Sequence, residues 1–139
     1  MPDESVPMIP LEPAIKIEKE VSVMDSILLS TKKQIGIEPS YEAFDADIIM
    51  DINSVFMILN QMGVGPKKAY SITDKNNVWT EFLGERVDLE AVKTYVPLRV
   101  KVMFDTITSS TQMEAINNVI KELEIRMYMA CDIPISEED

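Results

Sequence analysis

The 139 residues include no histidine, one cysteine, four glycines, and only 13 Lys plus Arg against 24 Asp plus Glu. Without histidine, and with Cys131 alone, the chain cannot assemble a Cys/His zinc site, a Ser-His-Asp triad, a Cys-His pair or an internal disulfide. Catalysis would have to run on carboxylates, lysine or a bound metal. The shortage of base leaves a formal charge of −11, which disfavours an electrostatic grip on nucleic acid or an anionic membrane. No apolar stretch approaches the roughly 18 residues that span a bilayer, and the opening MPDESVPMIP lacks the basic start and apolar run of a secretory signal. The expectation is a soluble protein made in a reducing cytoplasm, with no membrane partner. What is present is apolar material: 46% hydrophobic residues at a mean hydropathy near zero suffice for one domain with a true core and exclude disorder throughout.

The negative charge is unevenly spread. Residues 1–22 carry −3, residues 23–131 carry −4 and residues 132–139 carry −4. The first segment holds Pro2, Pro7, Pro10 and Pro13, and the last reads DIPISEED; neither buries enough apolar surface to offset the entropy of ordering. Both are expected to be extended arms, free or ordered by a partner, around a nearly balanced domain at 23–131. AIKIEKEV, from Ala14 to Val21, has some strand-like alternation but is too short to assign.

Within 23–131 the punctuation is helical. Ser22 is expected to cap a first helix that shows Met24, Leu28, Thr31 and Ile35 on one face, sets Lys32 and Lys33 against the negative dipole end, and stops at Gly36. Asp45 is expected to cap the second, with Asp47 in its first turn and Phe44 stapled onto Ile49. Its stripe of Ile48, Ile49, Ile52, Val55, Phe56, Leu59 and Met62, ended by Gly63, predicts the central core helix. Tyr70 to Ile72 favour an extended run. A short helix from about Asp74 should then carry Trp79, Phe82 and Leu83 as a core lid, closing at Gly84. Asp88 is expected to cap the next helix, with a Val87–Val92 staple and an apolar face of Leu89, Val92, Val96, Val100 and Met103; Pro97 inside it removes the bond to the Lys93 carbonyl and predicts a kink at 93–97. After TITSS, the box Thr111-x-x-Glu114 opens a last helix whose Met113, Ile116, Ile120, Leu123 and Met127 suit a neighbouring helix, within the subunit or between subunits. The fold class is all-α: a small bundle of about four to five helices with extended N- and C-terminal arms.

Few residues suggest chemistry. Gly63-Val64-Gly65-Pro66-Lys67-Lys68 looks like a helix-hairpin-helix turn, in which a G-x-G hairpin presents backbone amides to a DNA phosphate and lysines add charge. The alternative is a plain helix C-cap and turn, since Tyr70 to Thr73 favour extended structure and Asp74 reads as a fresh start. No Ser or Thr follows the lysines, so it is not a P-loop. Asp45, Asp47 and Asp51 invite a metal or acid–base reading, but the first two are explained by the helix start. Ten methionines either form an adaptable contact surface or fill gaps in the core, and Cys131 is an incidental thiol near the last helix end. No catalytic, cofactor or metal site is expected.

Taken in order, MDSILLSTKKQIGI, FDADIIMDINSVFMILNQMGVGP, SITDKNNVWTEFLG, LEAVKTYVPLRVKVMFD and TSSTQMEAINNVIKELEIRM, over about residues 24–128, resemble the head-tail connector (adaptor or head-completion) proteins of tailed bacteriophages. Pro97 and the long arm 1–22 depart from that pattern. The resemblance implies a non-enzymatic virion protein of the neck, made in the bacterial cytoplasm. It would assemble as a ring, typically dodecameric, beneath the portal, receive the tail or stopper protein, and extend the channel through which double-stranded DNA passes without specific binding. By position it implies portal contact through Glu122, Arg126, Tyr128, Met129, Asp132, Ile133 and Ile135. Two other readings stand beside it: a non-specific DNA-binding protein using Gly63, Gly65, Lys67 and Lys68, and an acidic helical regulatory protein. An acidic channel would let DNA slide, because duplex DNA carries one negative charge per about 1.7 Å and a basic lining would hold it.

Overall fold

The computed structural model describes residues 21–105 and 107–131. Of the expected arms, 1–22 and 132–139, all but Val21 and Ser22 lie outside the described residues. Among the described residues the chain forms five α-helices and one 3-10 turn and no strand: α1 (Ile27–Gln34), α2 (Asp45–Met62), α3 (Trp79–Leu83), the 3-10 turn Val87–Leu89, α4 (Val92–Phe104) and α5 (Ser110–Cys131). The protein is all-α, as its periodicity predicts.

α2 buries Ile48, Ile52, Val55, Phe56 and Leu59 completely, and each such side chain contributes about 1.5–3 kcal/mol relative to exposure. Ile49 and Met62 flank that stripe, half-buried against the core. Gly63 closes the helix at φ 83°, a left-handed turn that glycine enters without a Cβ clash. The hub of the bundle is nevertheless α4, which packs on α1, α2 and α5. It buries Val92, Tyr95, Val96 and Val100.

Several expected helix starts move, each for a visible reason. α1 begins at Ile27 with Ser26, not Ser22, as its cap: Ser26 Oγ accepts from the Leu29 amide at 3.1 Å. Residues just before it are already committed, because Ile27 N donates to Asn77 O (3.0 Å) and Trp79 N to Asp25 O (3.1 Å), a single antiparallel bridge. Met24 therefore lies outside the helix and is exposed, while Ile27 takes its place in the core. α2 is capped by Phe44 without a side-chain bond. The Phe44 ring packs edge-on against Tyr41 and Phe104.

α3 starts at Trp79, five residues later than expected, because Asn77 Oδ1 accepts from the amides of Thr73 (2.7 Å) and Asp74 (3.2 Å) and holds 73–77 as a turn. Trp79, Phe82 and Leu83 are buried as the lid, and the Trp79 indole donates to Ser30 Oγ at 3.0 Å. Tyr70–Ile72 forms no strand; Asn53 grips it by accepting from Ile72 N (2.8 Å) and donating to Ile72 O (3.1 Å).

Asp88 does not cap α4. It takes the Arg86 guanidinium through two bonds of 2.8 Å, and Val87 is 79% exposed, so the Val87–Val92 staple does not form. Met103 also leaves the expected face and is exposed. α4 runs on through the buried Pro97. The carbonyl that proline strands, Lys93 O, accepts from Gln34 Nε2 of α1 at 3.4 Å. At α5 the cap is Ser109, whose Oγ accepts from Gln112 N at 3.2 Å, two residues ahead of the expected Thr111 box. On its inner face Ile120 and Met127 are buried and Ile116 and Leu123 pack partly on the core.

Candidate docking surfaces

The carboxylates that invited a catalytic reading are dispersed by the fold. Asp45 meets Lys32 Nζ at 2.7 Å, a charge contact not aligned as a hydrogen bond, and the same ammonium donates to Pro39 O at 2.8 Å. Lys32 is therefore not a solvated partner of the helix dipole: its side chain is 0% exposed, and with Asp45 it ties the 36–44 loop to α1. Asp47 and Asp51 share a face of α2. Partial burial, and then the Asp47 charge, push the Asp51 carboxyl above its ordinary range, and among the described residues no base pairs with either. Among the described residues no group of three or more His, Cys, Asp and Glu side chains is placed to hold a metal ion.

The glycine hairpin is built as structure. Val64 is buried and its amide donates to Leu59 O at 2.9 Å. Gly65 sits at φ 97° flat against the Phe82 ring, where a Cβ would overlap the ring atoms. Asn60 Nδ2 donates to Pro66 O and Lys67 O at 3.5 and 3.3 Å. Lys67 and Lys68 project from this fixed knuckle, both exposed. No helix follows until Trp79, so the second helix that a helix-hairpin-helix requires is missing.

Exposed apolar side chains gather elsewhere. On the outer face of α5, Val119, Ile125, Tyr128 and Met129 are exposed, opposite the inner residues Ile120 and Met127. Glu122 and Arg126 lie among them, paired at 2.7 Å, and with Ile125 and Met129 they line a shallow cavity of about 310 Å³. Four of the expected portal-contact residues, Glu122, Arg126, Tyr128 and Met129, thus share the exposed end of one helix. The other three, Asp132, Ile133 and Ile135, lie outside the described residues. A second surface was not anticipated: Tyr41 and Phe44, half exposed, meet Phe104 at the junction of the 36–44 loop with α2 and the end of α4, ring centroids 5.7 and 5.5 Å apart. Its only trace in the sequence is two aromatics set among Glu42, Asp45 and Asp47, where neither serves a core stripe.

α5 is fixed to α4 by Tyr95, a buried ring whose hydroxyl donates to Glu124 at 2.7 Å. Burial, and then that bond, raise the phenol well above its ordinary range; the Arg99 charge over the ring works against the rise. None of the helices is long and apolar enough to cross a membrane, among the described residues.

A small helical module with a buried core and large apolar side chains exposed on α5 and at the Tyr41–Phe44–Phe104 corner has the surface of a protein that contacts other proteins. The chain belongs to the phage connector protein family, whose description matches residues 27–133, from the first residue of α1 to just past α5. It is thus a structural protein of the bacteriophage head-tail connection. Comparison with curated proteins and with solved structures gave no match.

Proposed function

We propose that the chain forms a ring adaptor between the portal and the tail or stopper protein, extending the DNA channel at the neck of the virion, and that it carries out no catalysis. The observation that carries this reading is the exposed apolar end of α5, Ile125, Tyr128 and Met129 around the Glu122–Arg126 pair. A contiguous apolar surface with a polar pair inside it is what a protein interface uses. On this reading, Glu122, Arg126, Tyr128 and Met129, with Asp132, Ile133 and Ile135 beyond them, meet the portal. The Tyr41–Phe44–Phe104 corner supports ring formation: a closed ring uses heterologous faces, so each subunit needs two different patches. The acidic balance of the chain suits a conduit from which DNA must slide free.

Mass photometry and negative-stain microscopy of the chain mixed with purified portal test this reading. Rings bound to portal, weakened by Tyr128→Ala/Met129→Ala, are the expected result. A chain that stays monomeric or dimeric and ignores the portal would overturn it.

A further inference from the structure

The Lys67–Lys68 knuckle is basic, exposed and held in one shape on an acidic molecule. Asn60 Nδ2 binds its Pro66 and Lys67 carbonyls, and Gly65 is seated on the Phe82 ring. Among the described residues neither lysine forms an ion pair, whereas Lys32, Arg86, Lys93, Lys101 and Arg126 all do. The other end of α2 carries the opposite charge in the same state. Phe44, Asp47 and Asp51 recur at i, i+3 and i+7, which sets them in one stripe along the first turns of that helix. Tyr41 stands edge-on to Phe44 at the head of the stripe, both rings half exposed. No described cation pairs with Asp47 or Asp51. After burial, it is the Asp47 charge that raises the Asp51 carboxyl, and like charges at i, i+4 weaken a helix. The knuckle of the same chain does not relieve them: from Asp47 to Asn60, which holds the knuckle, is roughly 20 Å of helix axis.

We propose that these two ends meet between copies of this chain: Lys67 and Lys68 of one subunit dock on the Phe44–Asp47–Asp51 stripe of the next. The inference rests on the ring reading and gives the aromatic corner a definite partner. The two surfaces share no residue, so one subunit can engage a neighbour on each side, as a closed ring demands. The rings supply apolar area, and the charges set direction: knuckle on knuckle, or stripe on stripe, places like charges together. Duplex DNA is the poorer occupant of the knuckle, because the molecule is strongly acidic, two lysines neutralise two phosphates at most, and the second helix of the DNA-binding motif is absent. Exposed pairs are individually weak and screened by salt. The contact therefore steers assembly and is loosened by salt.

The test reads self-association of the full chain, alone and on purified portal, by sedimentation velocity, with Trp79 fluorescence as the check on folding. Lys67→Glu/Lys68→Glu and Asp47→Lys/Asp51→Lys should each raise the concentration of half-assembly by about tenfold or more, since each sets like charges face to face. Mixing the two variants should restore assembly, because the reversed end of one then faces the reversed end of the other. Asp47→Asn/Asp51→Asn keeps side-chain size on α2 and should also weaken assembly; it decides the matter if charge reversal unfolds the helix. Wild-type rings that none of these variants disturbs, or folded variants that mixing does not rescue, overturn the proposal and leave the ring reading standing. A duplex oligonucleotide held by the wild type at physiological salt and released by Lys67→Glu/Lys68→Glu overturns it in favour of DNA. Rescue by mixing in a chain that ignores portal keeps the contact and sinks the adaptor reading alone. No association in any arm overturns both.

Discussion

Truncating Asp45 should cost much more than truncating Lys32, although the two form one ion pair. The side chain of Lys32 is 0% exposed and that of Asp45 is 27% exposed. In Asp45→Ala the ammonium stays buried with the Pro39 carbonyl as its remaining partner, and breaking a buried pair in this way costs about 3–5 kcal/mol. In Lys32→Met the stem volume is kept and the orphan is a carboxylate that water reaches, at the first turn of α2 where the dipole favours it. The cost there should be about 1–2 kcal/mol. The double variant should be no worse than Lys32→Met alone, since it leaves no charge buried. The single tryptophan, Trp79 in the buried lid, is a built-in fluorescent reporter. In urea, with a slope of about 1–3 kcal/mol per molar, a gap of about 2 kcal/mol separates the midpoints of the two single variants by roughly 1 M. Equal midpoints, or a Lys32→Met variant the weaker of the two, would refute the account of Lys32 as a buried charge neutralised by Asp45.

Gly65→Ala should lose about 2–4 kcal/mol, combining a strained positive φ with overlap on Phe82, whereas Gly63→Ala, with open space around its Cβ, should lose only about 1–2 kcal/mol, by the same urea assay. Asn53→Ala removes both bonds to Ile72 and should destabilise by about 1–3 kcal/mol; faster amide exchange at Ile72 would confirm the site of the damage. At alkaline pH, burial and the bond to Glu124 hold the Tyr95 phenol above its ordinary range, and Tyr70 is likewise raised by burial and then by Glu81. A group raised on folding stabilises fully below its unfolded value, about 10 for tyrosine. Stability should therefore fall as pH climbs past 10, with a shallower fall in Tyr95→Phe. Glu81 is displaced the other way, lowered by its bonds from Asn77 and Tyr70. Its small contribution is present at neutral pH and fades as pH drops below about 4.5, a loss that Glu81→Gln should not show in acid titration of stability.

The helices with regular apolar spacing were legible from the chain alone: the stripe of α2, the lid residues Trp79, Phe82 and Leu83, and the Gly63 stop all appear where the periodicity puts them. Starts were less legible because caps are chosen by competition. Ser22, Asp45, Asp88 and Thr111 are all sound capping residues. Each lost to something local spacing does not encode: the bridge from 25–27 to 77–79, the buried ammonium of Lys32, the guanidinium of Arg86, and a serine two positions earlier. The hub role of α4 was hidden by Pro97, which lowers helix propensity without revealing that a distant glutamine compensates. Of the candidate site, the α5 residues Glu122, Arg126, Tyr128 and Met129 came from the family resemblance, and their shared exposure appears only in three dimensions. The Tyr41–Phe44–Phe104 corner joins residues some 60 positions apart, beyond the reach of any periodicity.

Pro97 also bears on the order in which the molecule is made. The carbonyl of Lys93 finds its donor in Gln34, 59 residues away, so the middle of α4 is completed only after α1 has docked. An isolated 92–104 segment lacks that donor and carries the proline's full penalty. The hub helix is therefore expected to be a late element, and α2, whose helical backbone ladder needs no distant donor, the natural early one. Because α4 packs on α1, α2 and α5, the three are expected to assemble in one cooperative step rather than as separable halves. Pulse-labelled amide exchange during refolding should protect α2 before α4.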